Sequence, residues 1–324
     1  MAGNEVPSSS EVLDLTNEHL HSLEKVELNS QLRVLDLTAN RLSSIDPRIL
    51  SLTGLVSVNF RQNLLTDVSA WAEAACKGTL EDLEFRDNQL KEIPALPGFS
   101  KLRRLEFSYN EIHSIEALAA LGPAPIQELY LAANKIPAIT GISQLSQLTT
   151  LELGSNRIKS IENLESQALL KELWLGRNRI STVQGLSHMK SLRCISLQSN
   201  RLESMLGFEA CTGLEELYLS HNGIWRIEGL GSLKNLKILD VSNNRISKVE
   251  GLESQTQLED LWLNDNAIPS LDDAALASGL KPVTATLTVI YLEGNPAAQD
   301  PAYEERIRQL LPKLKQLDSK HNLS

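Results

Sequence analysis

The side chains best suited to chemistry in this 324-residue chain are acids and aromatics that recur together. Four phrases, Glu128-Leu129-Tyr130, Glu172-Leu173-Trp174, Glu216-Leu217-Tyr218 and Asp260-Leu261-Trp262, follow one another every 44 residues. In each, acid and ring are two residues apart, and in an extended strand that spacing places both on one side. Rings beside carboxylates suit recognition of a protein surface, the ring filling a pocket and the carboxylate meeting lysine or arginine. No pattern for a reaction centre accompanies them: the sequence contains no phosphate-binding glycine loop, H-E-x-x-H, C-x-x-C or calcium loop. The histidines, His19, His21, His113, His188, His221 and His321, are dispersed, and His221 reads as a surface residue at a strand end. No catalytic residue, metal ligand or cofactor is expected, and the chain reads as a binding protein rather than an enzyme.

The elements that position these residues are repeats. Asn40, Asn63, Asn88, Asn110, Asn134, Asn156, Asn178, Asn200, Asn222, Asn244, Asn266 and Asn295 each close the phrase L-x-x-L-x-L-x-x-N, with six consecutive spacings of 22 residues from Asn134 to Asn266. The alternating leucines predict a short strand with one buried face, and stacking of repeats makes the core that one repeat cannot form alone. The asparagines predict a structural ladder, each amide bonding backbone groups in the inward turn. The predicted class is an α/β solenoid: a leucine-rich-repeat horseshoe with a parallel concave sheet, short 3-10 or helical convex segments and a C-terminal helical cap. Isoleucine pairs such as Ile158/Ile161 and Ile224/Ile227 suit short helical turns on the convex side. Insertions are expected as a small helical excursion at Trp71–Gly78, a loop at Leu121–Pro125 and a helix with loop at Asp272–Thr286. The organisation expected is a disordered tail over 1–11, a solenoid over 12–300 that opens on a worn repeat with Glu18 in the asparagine position, a cap over 301–318, and a tail over 319–324.

Composition narrows the partner. The hydrophobic content is 42% with only 4% aromatics, which fits a leucine and isoleucine core, and the formal charge is −10. Such a chain repels phosphate backbones, so nucleic acid is not an expected partner, whereas a basic protein surface is. Cys76, Cys194 and Cys211 are odd in number and scattered, as reduced thiols are. The start lacks a signal-peptide pattern and no apolar run nears the length of a membrane span, which predicts an intracellular chain with no membrane partner.

The fifth position of each phrase is a strand centre facing away from the core: Asp36, Asn59, Glu84, Glu106, Tyr130, Glu152, Trp174, Ser196, Tyr218, Asp240, Trp262 and Tyr291. This row is the expected binding surface. Alternation of large and small side chains, or duplication of repeats in pairs, would produce the same period.

With phrases such as LELGSNRIKSIENLE and ELYLSHNGIWRIEGL, and the ending YLEGNPAAQDPAYEERIRQLLPKLKQLD, the chain resembles the SDS22-like leucine-rich-repeat family from about Val12 to Asp318. The resemblance implies a non-catalytic regulatory subunit whose concave sheet binds the catalytic subunit of protein phosphatase 1, a Ser/Thr phosphatase, in nucleus and cytoplasm. It implies contacts at Glu106, Tyr130, Glu152, Trp174, Asp260, Trp262 and Tyr291, and the residue row adds Tyr218. Asp260 stands where the family pattern has a glutamate. A monomer before complex formation is expected, with room for a third regulatory protein. The rival readings are a scaffold of a splicing particle or of an axonemal, tubulin-linked assembly, and an internalin-type adhesin.

Overall fold

A computed structural model describes residues 10–270 and 274–321. The chain divides into two compact units, Met1–Arg157 and Ile158–Ser324. Both are leucine-rich-repeat solenoids. In the first, β1 (Val12–Asp14), β2 (Val34–Asp36), β3 (Ser57–Asn59), β4 (Asp82–Glu84), β5 (Arg104–Glu106), β6 (Glu128–Tyr130) and β7 (Thr150–Glu152) pair in parallel in chain order. In the second, β8 (Glu172–Trp174), β9 (Cys194–Ser196), β10 (Glu216–Tyr218), β11 (Ile238–Asp240), β12 (Asp260–Trp262), β13 (Val289–Tyr291) and β14 (Gln316–Leu317) do the same. The strands are short because only the central leucine and its two neighbours lie flat before the chain turns inward.

Register follows from burial. The strand-centre leucines, among them Leu83, Leu105 and Leu129 in the first unit and Leu173, Leu217 and Leu261 in the second, are fully buried and stack on their counterparts. A slip of one residue would turn each of them to solvent, at about 1.5–3 kcal/mol per side chain. The first unit adds an aromatic seam below the sheet. Phe60, Phe85 and Phe107 stack at 5.5 and 5.2 Å, and Trp71 meets Phe60 and Phe85 edge-on at 6.2 and 6.1 Å. The excursion expected at Trp71–Gly78 is a 3-10 helix, Ser69–Glu73, which carries Trp71 into that seam. Leu121 closes a second 3-10 helix, Glu116–Leu121, and the loop expected from it begins at Gly122.

After each strand the chain enters the left-handed region one residue before the asparagine, with φ of 57° at Asp87, 58° at Tyr109 and 53° at Ala133. Residues with a β-carbon adopt this conformation at a cost of roughly 1–2 kcal/mol. The asparagine offsets that cost. Asn110 Nδ2 donates to the Phe85 and Phe107 carbonyls at 3.0 Å, and its Oδ1 accepts the Leu90 N–H at 3.0 Å. The same bonds recur in the second unit, where Asn222 Nδ2 donates to Leu197 and Leu219 and its Oδ1 accepts from Leu202.

Stacking also overturns one expectation. Ile158, Ile161, Ile224 and Ile227 are buried, but the backbone between them forms no helical turn. The carbonyls of Ile158 and Ile224, which a helical turn would bond to the N–H three residues on, accept instead from the Arg179 and Arg245 N–H groups one repeat later, both at 2.8 Å.

At the C-terminal end a 3-10 helix, Pro296–Gln299, and an α-helix, Tyr303–Leu310, depart from the repeat. Asp318 stands in for the carbonyl that a following strand would offer: its Oδ1 accepts the N–H groups of Leu292 and Glu293 at 2.7 and 2.9 Å, and its Oδ2 accepts the Tyr303 hydroxyl at 2.9 Å. Lys320–His321, assigned to a tail on sequence grounds, form β15, antiparallel to β14. The tail expected over 1–11 lies outside the described residues except for Ser10 and Glu11, and the Glu11 carbonyl already accepts from Arg33 and Val34. Of the expected helix and loop at Asp272–Thr286, Asp272 and Asp273 lie outside the described residues; an α-helix, Ala274–Leu280, a 3-10 turn, Lys281–Val283, and a turn over 284–286 form the rest.

Replacing Asn110 with alanine strands the Leu90 N–H and two carbonyls inside the turn. The expected loss is at least about 3 kcal/mol, read from urea unfolding of the whole chain. A loss below about 1 kcal/mol would show that water substitutes for the amide.

Candidate protein-binding face

Each strand presents its first and third residues on the open face, because alternate side chains point to opposite sides; the row expected at the strand centres is therefore the third residue of each strand, and the centre is the buried leucine or its equivalent. That geometry brings the acid and the ring of each repeated phrase together. The Tyr130 hydroxyl donates to Glu128 Oε2 at 3.0 Å, the Tyr218 hydroxyl to Glu216 Oε2 at 2.9 Å, and Trp174 Nε1 to Glu172 Oε2 at 3.4 Å. These acids therefore hold the rings in place, a role that the pairing of rings with acids in the sequence did not disclose. The fourth phrase differs: its acid is the shorter Asp260, and the buried Nε1 of Trp262 has no hydrogen-bond partner among the described residues.

In the second unit the rings form a continuous ladder. Trp174 stacks on Tyr218 at 6.4 Å, Tyr218 meets Trp262 at 6.3 Å, and Trp262 meets Tyr291 edge-on at 5.7 Å. Trp174, Tyr218 and Trp262 sit on alternate strands, so their rings lean across the residues between them, Ser196 and Asp240, which are 3% and 2% exposed. The rings are half-buried by one another, not free-standing as the sequence row suggests. Gln316 Nε2 donates to the Tyr291 hydroxyl and ties the end of the ladder to β14.

Beside the ladder opens a cleft of about 550 Å³, lined by Gln198, Ser220, His221, Asp240, Trp262 and Tyr291 among others. Asp240 lies at its floor. Its Oδ1 accepts the Ser242 N–H at 3.0 Å and the Ser242 hydroxyl at 2.7 Å, and its Oδ2 accepts from Gln198 Nε2 at 3.3 Å. Sequence reasoning placed Asp240 at a strand centre without counting it among the contact residues; its burial under two rings is visible only in the structure.

On the same row the first unit carries acids around a single ring, Tyr130. Glu106 is 3% exposed and accepts the Ser108 N–H at 2.6 Å. Register sets it beside Tyr130, and Tyr130 beside Glu152. Burial pushes the Glu106 carboxyl up, against the Ser108 hydrogen bonds and Arg104 that favour its charge. Burial also raises Glu152, with Arg86 opposing, and raises Asp260 in the second unit, with Glu259 adding to it. The Tyr130 hydroxyl is pushed up to about 12 by burial and by Glu128. Three acids of the expected contact set are thus held where their charge is disfavoured.

Arg104 was not singled out in the sequence, although it is the one basic residue at the third position of any repeat phrase. Its Nη1 lies 3.0 Å from both Asp82 Oδ1 and Glu84 Oε2, and its guanidinium lies 5.2 Å from the Tyr130 ring centroid. Burial alone would lower its pKa, but the attraction and hydrogen bonds of Asp82 and Glu84 outweigh burial and raise it.

No group of three or more His, Cys, Asp or Glu side chains suited to a metal ion occurs among the described residues. Cys76, Cys194 and Cys211 are free and buried, and burial raises their thiols above the ordinary range. No described helix is long and apolar enough to cross a membrane.

A carboxyl with a raised folded-state pKa favours folding only while protonated. That contribution is complete below the unfolded-state value and is lost as pH rises through the folded one. Glu152→Gln is therefore expected to raise the urea midpoint at pH 7, with the gap from the unchanged protein closing below about pH 4. An equal gap at both pH values would refute burial as the cause.

A family model described as Leucine Rich repeats (2 copies) matches residues 212–254. A curated protein of Arabidopsis thaliana, described as "Protein phosphatase 1 regulatory inhibitor subunit PPP1R7 homolog", is 48% identical over 164 residues. That match covers 50% of this chain and 50% of the relative, so the chain spans about half the length of the protein it matches. Among solved structures, an internalin of Listeria monocytogenes superposes with a TM-score of 0.81 at 24% identity, covering 97% of this chain and 88% of that one. A leucine-rich-repeat protein of Leptospira interrogans superposes with a TM-score of 0.68 at 23% identity, covering 95% and 96%. At these identities the likeness is one of fold alone. The repeat phrase, the parallel strands with their asparagine ladder and the matching family model agree: this chain is a leucine-rich-repeat protein, similar over half its length to the plant phosphatase-regulator homologue.

Proposed function

We propose that the chain is a non-catalytic regulatory subunit that binds the catalytic subunit of protein phosphatase 1 through the open face of its sheet. The observation that carries this reading is the ring ladder Trp174–Tyr218–Trp262–Tyr291 with Asp240 and Asp260 alongside. Rings preassembled at a sheet surface lose little side-chain freedom on binding, which is what makes aromatic anchors effective. The unpartnered Trp262 N–H gains from an acceptor supplied by a partner. Acids kept charged against burial gain from a partner's lysine or arginine in the same way. The name of the plant relative supplies the partner's identity, and the face supplies its character: a basic surface with pockets for rings.

The face offers a cleft open to solvent, and the reading is of regulation through binding and not of catalysis. Residence in nucleus and cytoplasm, a monomeric state before complex formation and a third regulatory protein in the complex belong to the same proposal.

Titration of the full chain against the purified phosphatase catalytic subunit tests it. Trp262→Ala and Trp174→Ala are each expected to weaken binding by about 2 kcal/mol, roughly thirtyfold, while the far-ultraviolet spectrum stays unchanged. Failure of the unchanged chain to bind, or full affinity in both variants, would remove this reading.

A further inference from the structure

The acid row of the first unit already has an occupant. The Arg104 guanidinium reaches from β5 to four carboxylates on three strands: Asp82 and Glu84 at 3.0 Å each, Glu106 at 3.5 Å and Glu128 at 3.9 Å. It lies over the Tyr130 ring at 5.2 Å, and its side chain remains 31% exposed. Carboxylates around a guanidinium with an aromatic ring behind it form the arrangement that a partner's arginine would be expected to adopt on such a face. In the second unit Glu172, Glu216 and Asp260 have no cation within ion-pair distance among the described residues. The two units thus present acids in different states, one internally matched and one open.

We propose that Arg104 is a specificity residue, an internal cation that closes the first unit's carboxylate–aromatic subsite to basic proteins in general. The assignment rests on the open face being the docking surface. A row containing Asp82, Glu84, Glu106 and Glu128 would otherwise draw any lysine- or arginine-rich chain by long-range attraction. With Arg104 in place, an incoming cation meets a like charge and must displace two hydrogen bonds at 3.0 Å to enter. Discrimination between partners is achieved by such a repulsive element as much as by favourable contacts. A partner that matches this face presents neutral or acidic groups opposite Arg104 and keeps its cations for the open acids.

The test uses the full chain and fluorescein-labelled octa-arginine, followed by fluorescence anisotropy at low and high salt. R104Q is expected to bind the peptide at least tenfold more tightly than the unchanged chain at about 50 mM salt, with most of the gain gone at about 500 mM. R103Q removes an exposed arginine one residue away and is expected to stay within twofold of the unchanged chain. Adding Glu84→Gln to R104Q is expected to reverse much of the gain. R104M, which keeps the apolar stem over Tyr130, repeats the measurement should R104Q melt early. Equal affinity in R104Q, R104M and the unchanged chain would overturn the proposal, as would an equal gain in R103Q. Capture of the phosphatase is measured in parallel: a peptide gain without phosphatase binding keeps the role of Arg104 and removes the phosphatase reading.

Discussion

The twelve asparagine repeats turn on a backbone bend held by one side-chain amide. The residue before eleven of the ladder asparagines sits at a φ of 52–58°, where a β-carbon is unwelcome, and the chain places Asp87, Tyr109, Ala133 and His221 there; only before Asn295 is it a glycine, Gly294 at 77°. What permits this is the asparagine behind it, which satisfies carbonyls of two consecutive repeats and an N–H of the earlier one. The bonds are both local and lateral, so they set the bend and the stacking distance together. Strand register, the buried leucine rows and the alignment of the open face follow from that stacking. At the C-terminal end the Asp318 carboxylate instead replaces a following strand's carbonyl and recruits Tyr303 from the closing helix.

With the core so specified, the open face is free to carry side chains that do nothing for the fold. Two solutions appear. The second unit places rings on alternate strands and small residues between them, so the rings lean together and cover Ser196 and Asp240. The first unit places acids on successive strands and neutralises part of their charge with Arg104. Burial raises Glu106, Glu152 and Asp260, so each contributes less to stability as an ion than it would in water.

The acids within the repeated phrases act differently. Glu128 and Glu216 accept hydroxyls from rings two residues on, and this fixes where each ring points. A ring so held has its rotamer already chosen. Trp262, with a shorter acid before it and an unpartnered indole N–H, is the ring whose hydrogen bonding is incomplete.

The sequence by itself determined the repeat, the parallel strands, the core leucines, the asparagine ladder and the side of each strand that faces outward. All of these follow from spacing, because a period of two selects a face and a period near 22 stacks it. Tertiary structure alone decided which outward side chains touch. Arg104 and Asp82 are 22 residues apart in sequence, and Trp174 and Tyr218 are 44 apart, yet each pair is in contact. Strands about 4.8 Å apart make such neighbours, but rotamers and the size of the residue between them determine whether two side chains meet. The same limit explains the isoleucine pairs: their spacing suits a helix, while the carbonyls that a helical turn needs accept backbone N–H groups one repeat later.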